Sequence, residues 1–285
     1  MKIVFIHGRD QEGKEPVVLQ QQWESALDDG LEKAGISRPA IVSIEFPFYG
    51  DTLDRLVTDL DSPLIENARG RGVDRGNPDV QFRNDLLEEL REGLNISESE
   101  VTAEYTGDIS QRSAQNWEWV HSILKVLDRT PLGAAAIDEF TRDVSVYLTN
   151  EAVQEQIDAI VQPHIVEEPC VVVGHSLGSI VGYNVLQGTD NQVVRYVTVG
   201  SPLGINAIKR KLKGALRMPS TTTSWFNAMD ERDVVALYPL DDRHFPISPS
   251  ITNKTTVDNY TDNRHGIGGY LSDPDVARNI AEPFV

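Results

Sequence analysis

The chain has a single cysteine, Cys170, among 285 residues, so no internal disulfide can form. Set in the apolar run "PCVVVGH", the thiol reads as a small core residue of a protein kept in a reducing compartment. Long hydrophobic runs are missing as well: nothing approaches the ~20 apolar residues that a bilayer-crossing helix needs. The opening "MKIVFIHG" passes from one lysine into a strand-like run without the cleavage region of a signal peptide. A cytoplasmic setting without stable membrane insertion is therefore expected. In that setting the N-x-S/T sequons at Asn95 and Asn253 carry no meaning. Basic charge is scarce, with 26 Lys and Arg facing 44 Asp and Glu. The formal charge of −18 repels phosphate backbones and anionic lipid surfaces, which argues against nucleic acid as a partner. Arg69, Arg71 and Arg75 form a local basic exception. No H-E-x-x-H, close His/Cys pair or Walker-type glycine loop is present, and neither a metal nor a cofactor is expected.

What is present suits a folded globular chain: 40% hydrophobic and 25% charged residues, enough at this length for a substantial core. Periodicity predicts strands over 2–6, 40–46, 170–173, 193–199, 222–229 and 251–257. Helices are predicted over 18–34, 135–148, 152–161 and 207–216, with another starting at Ser176. Strands alternating with helices predict an α/β fold: a mainly parallel sheet flanked by helices. Between Asp51 and about Thr130 the pattern turns polar and acidic, with "ARGRGVDRGNPD" followed by the helix-like "VQFRNDLLEELREGL". Residues 1–50 and 131–285 are thus expected to build the core, and 51–130 a helical, acidic lid or cap insertion. Trp117, Trp119, Ile123, Leu124 and Leu127 make one helical face, suited to packing on the core or to lining an apolar pocket.

The chemistry concentrates in "PCVVVGHSLGSIVGYNVLQG". By composition alone, G-x-S-x-G arises in roughly one chain of this length in ten. Here it follows Val171, Val172 and Val173, a β-branched run suited to a strand covered on both faces, and it opens a helix-periodic stretch. Gly174 and Gly178 bracket Ser176 as a tight strand-to-helix turn requires, so the hydroxyl projects above the sheet. The N–H of Leu177, at the helix start, would face an oxyanion there.

Strand, "GHSLG" and helix, preceded by "IHG" and followed by "VTVGSPLG", resemble the α/β-hydrolase family on its lipase and esterase side. The resemblance spans both flanks of the insertion. It implies an α/β-hydrolase fold, and a second oxyanion donor from the loop after the first strand, at Arg9 or, next, Gly8. His7 is expected to hold that loop rather than titrate. His175, adjacent to the nucleophile, is expected to pack with its side chain turned away from Ser176. The family's chain order of Ser, Asp and His implies an acid in "FNAMDERDVVAL", with Asp233 preferred because "RDVVAL" approaches the family's D-x-V pattern. Asp230 is the alternative acid. Of the six histidines, only His244 and His265 follow these carboxylates. His265 is preferred because it lies beyond the last strand, on a Gly-rich loop.

The implied activity is cleavage of a carboxylic ester through an acyl-enzyme on Ser176, with thioesters as a variant. The partner would be a small-molecule ester or lipid substrate. The other reading is a ligand-sensing or regulatory protein that keeps the fold with little turnover. Acyl length and oligomeric state are not legible.

Overall fold

The structure, a computed structural model, describes residues 1–38, 42–70, 78–105, 117–130 and 132–284. The β-branched runs form the expected strands: β1 (Lys2–Ile6), β2 (Ser43–Glu45), β3 (Cys170–His175), β4 (Val193–Val199), β5 (Trp225–Ala228) and β6 (Thr252–Lys254). They assemble one six-stranded sheet in the order β2-β1-β3-β4-β5-β6, every neighbouring pair parallel. The outer strands are shorter than periodicity predicts, and Ala40 lies outside the described residues.

A parallel sheet must be covered on both faces, because its crossovers place helices there. The strands show it residue by residue. Ile3, Phe5, Val171 and Val173 face one apolar layer, and the alternate residues Val4, Ile6, Cys170 and Val172 face the other. The first layer is closed by α1 (Pro16–Ala34), α10 (Ile267–Leu271) and α11 (Pro274–Ala281). Helix α1 starts at Pro16, two residues before its predicted start, and stops at Gly35, whose φ of 70° provides a left-handed C-cap.

The second layer holds α2 (Gly50–Gly70), α3 (Pro78–Gly93), α4 (Glu98–Glu104), α5 (Trp117–Leu127), α6 (Ala134–Thr149), α7 (Glu151–Val161) and α8 (Leu177–Leu186). Where it is described, the polar, acidic stretch after Asp51 is largely helical, and α6 packs against α2, α3 and α5. Trp119, Ile123, Leu124 and Leu127 are buried in this layer. Arg71 and Arg75 lie outside the described residues, as do the side chains of Arg69 and Trp117. The helix expected over 207–216 is only α9 (Asn206–Lys209). It is not resumed beyond Lys209, where Lys213 donates its N–H to Asn184 Oδ1 instead of to the Lys209 carbonyl and Gly214 turns with φ 70°. Among the described residues, no helix is long and apolar enough to cross a membrane.

The chain enters the sheet at β1, steps to one side for β2 and returns to the other side for β3. That reversal opens a crevice at the carboxyl ends of β1 and β3, where ligands of open α/β sheets bind.

Candidate active site

β3 ends at His175 and α8 begins at Leu177, leaving Ser176 alone to turn the chain, with φ 54° and ψ −128°. An L-residue in that region is strained by about 1–3 kcal/mol, and such strain persists only where the surroundings enforce it. Here they do. A Cβ on Gly178 would lie 2.2 Å from the Ile6 carbonyl oxygen and 2.3 Å from that of His7, so only glycine lets α8 approach β1 this closely. Gly174 faces the same turn, packed on Gly178 and Ser179. Although Ser176 occupies the N-cap position, its hydroxyl caps nothing. Ser176 is 2% exposed, and its Oγ has no hydrogen-bond partner among the described residues. Leu177 takes the first helical position, where a backbone N–H has no intrahelical acceptor and the helix dipole is positive.

The loop after β1 lies against this turn. A Cβ on Gly8 would meet the Ser176 Cβ at 3.0 Å. His7 holds the loop from below. Its Nδ1–H donates to the Gly8 carbonyl at 2.7 Å, its Nε2 accepts the Tyr49 N–H at 3.0 Å, and the Tyr49 hydroxyl donates to the His7 carbonyl. Burial draws the His7 pKa down to about 4, which keeps the ring neutral and this bonding pattern intact. The Arg9 side chain reaches away to α6, donating to Asp143 at 2.8 Å and Glu139 at 2.7 Å. Burial works against the guanidinium charge, but these two carboxylates outweigh it and raise the pKa. Arg9 is thus an anchor through its side chain, and the residue also lines the cavity at Ser176.

Asp233 and His265 meet. His265 Nδ1 lies 2.7 Å from Asp233 Oδ2 and can only donate to that carboxylate, so in the neutral form of the ring Nε2 carries no hydrogen. Asp233 is buried, and its Oδ1 accepts the N–H groups of Val235 at 2.9 Å and Ala236 at 3.3 Å. The Tyr270 hydroxyl donates to Asp233 Oδ2 at 2.5 Å; burial and then this carboxylate push its own pKa well up, so it stays protonated as the donor. The other carboxylate, Asp230, faces elsewhere. It accepts from the Arg232 N–H at 2.8 Å, the Arg232 guanidinium and the Asn259 N–H at 2.9 Å. Burial opposes its charge, but these donors prevail and lower its pKa. His244 is instead bonded to Asp241 and stacked on Tyr238.

Ser176 and His265 line one cavity of about 630 Å³, together with Gly8, Arg9 and His175. They share no hydrogen bond. Apolar walls come from Val18, Leu19 and Trp23 of α1, Leu132, and Ala136 and Phe140 of α6. The α5 face expected to pack or to line a pocket packs instead: none of its described side chains borders this cavity.

Comparison with known proteins adds no relative: no family model, no curated protein and no solved structure matches the chain. The site has to be read from its own geometry.

Among the described residues, no group of three or more His, Cys, Asp and Glu side chains is placed to hold a metal ion. Sequence reasoning missed three contributors. Tyr270 sits in "GIGGYL" with no signal beyond being a tyrosine near His265. Gly200, with φ 56°, ends β4 so close beneath the site that a Cβ there would lie 3.2 Å from both Asp233 Oδ2 and His265 Cε1. The third is His175, read as a packing residue, whose Nε2–H donates to the His265 carbonyl at 2.8 Å.

Proposed function

We propose that this protein is a serine hydrolase of the α/β-hydrolase type, cleaving a carboxylic ester through an acyl-enzyme on Ser176. One observation carries the reading: a buried, unpartnered serine hydroxyl on a strained strand-to-helix turn shares a cavity with an imidazole hydrogen-bonded to a buried carboxylate. The chain order of Ser176, Asp233 and His265 supports it, as does the location of all three beyond carboxyl ends of strands.

In this mechanism His265 Nε2 takes the Ser176 proton as Oγ bonds to the substrate carbonyl carbon. The carbonyl electron pair moves to oxygen, which the N–H groups of Leu177 and Arg9, or of Gly8 beside it, stabilise. Collapse expels the alcohol, protonated by His265, and leaves the acyl-serine. Water then attacks along the same route, and the acid departs. Asp233 keeps Nδ1 protonated and steadies the imidazolium. Phe140, Leu132 and Val18 take the apolar acyl group. A cytoplasmic setting belongs to the same reading.

Labelling with a fluorophosphonate tests it. The wild-type chain should label on Ser176, and both Ser176→Ala and His265→Ala should abolish the signal. A folded wild-type chain that never labels would favour the ligand-sensing reading instead. A p-nitrophenyl ester series of rising acyl length sharpens the substrate class, since rates independent of length would remove the role given to the apolar walls.

A further inference from the structure

The loop that carries His265 has no regular structure of its own, yet the imidazole on it must stay within reach of Ser176 for a proton to pass. The bond to Asp233 fixes one ring nitrogen but leaves the ring free to swing about that contact. A second restraint is present on the opposite side. His175 is 9% exposed, wedged between Trp23 and Tyr270, with its ring centroid 4.8 Å from that of His265. Its Nε2 lies 2.8 Å from the His265 carbonyl oxygen. A carbonyl can only accept, so Nε2 carries the hydrogen.

We propose that His175 is a positioning residue for the base: its Nε2–H, donated to the backbone carbonyl of His265, sets where the catalytic imidazole stands relative to Ser176. The proposal rests on the hydrolase reading for its kinetic consequence. Three features make His175 suited to the task. It is the last residue of β3 and directly precedes Ser176, so nucleophile and base are referenced to one rigid strand end. Burial, and next the neighbouring His265, lower its pKa to about 3, so it stays neutral and adds no charge beside the imidazolium that forms during turnover. Its side chain also borders the Gly8 position, which places it between the base and the oxyanion loop.

The test compares wild type, His175→Phe and His175→Gln by fluorophosphonate labelling rate, kcat and KM on p-nitrophenyl butyrate, and the low-field proton NMR signal of His265 Nδ1. The phenyl ring keeps the bulk and removes the donor. It should slow labelling and kcat by roughly 10²-fold at unchanged KM, and broaden the Nδ1 signal through exchange with water. The Gln amide N–H reaches the same carbonyl and should restore about tenfold of that loss, a rescue that mere packing would not give. If His175→Phe does not fold, His175→Asn, whose amide stops at the Nδ1 position, replaces it. Wild-type rates and an unbroadened signal in the donorless variant overturn the proposal. So does a Gln variant as impaired as the Phe variant at equal thermal stability. A wild-type chain inert to the probe sinks the hydrolase reading alone, because the NMR signal needs no turnover and still reports whether His175 holds His265.

Discussion

The turn at Ser176 and the loop over 258–266 reach one cavity by opposite means. The turn is built from backbone: a buried strand, a helix start and glycines that let main chains touch. The loop is built from side chains. Asn259, fully buried, donates to the Gly266 carbonyl and accepts from Thr261, while Asp230 accepts its N–H and Arg264 donates to its carbonyl. Disturbing the turn should therefore unseat the fold, whereas disturbing the loop should unseat only His265.

The largest effect is expected from Gly178→Ala, whose methyl must displace two backbone carbonyls. Chemical denaturation should show a loss of about 3 kcal/mol or a failure to accumulate folded protein. A variant as stable as wild type would break the contrast. Asp233→Asn comes next and should leave the fold in place, since the amide fills the same space. It should lower kcat by roughly 10³–10⁴-fold, because the imidazole loses the acceptor that fixes its tautomer. Asp230→Asn should cost about 2 kcal/mol of stability by weakening charge-assisted bonds to Arg232 and Asn259, with a smaller loss of kcat than Asp233→Asn. The reverse ranking in kcat would exchange the roles assigned to the two carboxylates. Tyr270→Phe, removing one donor from Asp233, should reduce kcat about tenfold, the size of one hydrogen bond to a charged group.

Acid sharpens the comparison further. His7 and His175, one under the loop after β1 and one beside the loop of His265, are held neutral with lowered pKa values of about 4 and about 3. Below the unfolded-state value of about 6.5 the unfolded chain binds protons that the folded chain refuses. Stability should thus be full well above about pH 6.5 and fall as pH drops, by up to about 1.4 kcal/mol per pH unit for each histidine. Denaturation midpoints of wild type and His175→Gln between pH 7 and pH 5 check this, the variant showing the shallower slope.

Both ends of this comparison differ in how far they were legible. The β-branched run, the bracketing glycines and the helical period after Ser176 are local signals, and the structure shows a strand, a turn and a helix there. The α9 region shows the limit of such signals: its periodicity suits a helix to Leu216, but the helix stops after Lys209 and the Lys213 N–H bonds to Asn184 on α8. His175 marks the same limit from the other side, because nothing in "GHSLG" tells which carbonyl its ring will reach.

The sequence by itself determined the alternation of strands and helices and the site of the serine turn, since these follow from side-chain period and from glycine's lack of a Cβ, both properties of adjacent residues. The resemblance preferred Asp233, and the structure brings it rather than Asp230 to His265; tertiary structure alone decided that Tyr270 and His175 support that pair, and that α6 walls the cavity while the described side chains of α5 do not. Hydrogen bonds and contacts between residues tens of positions apart exist only after the sheet has brought strand ends together, and no local pattern encodes their pairing.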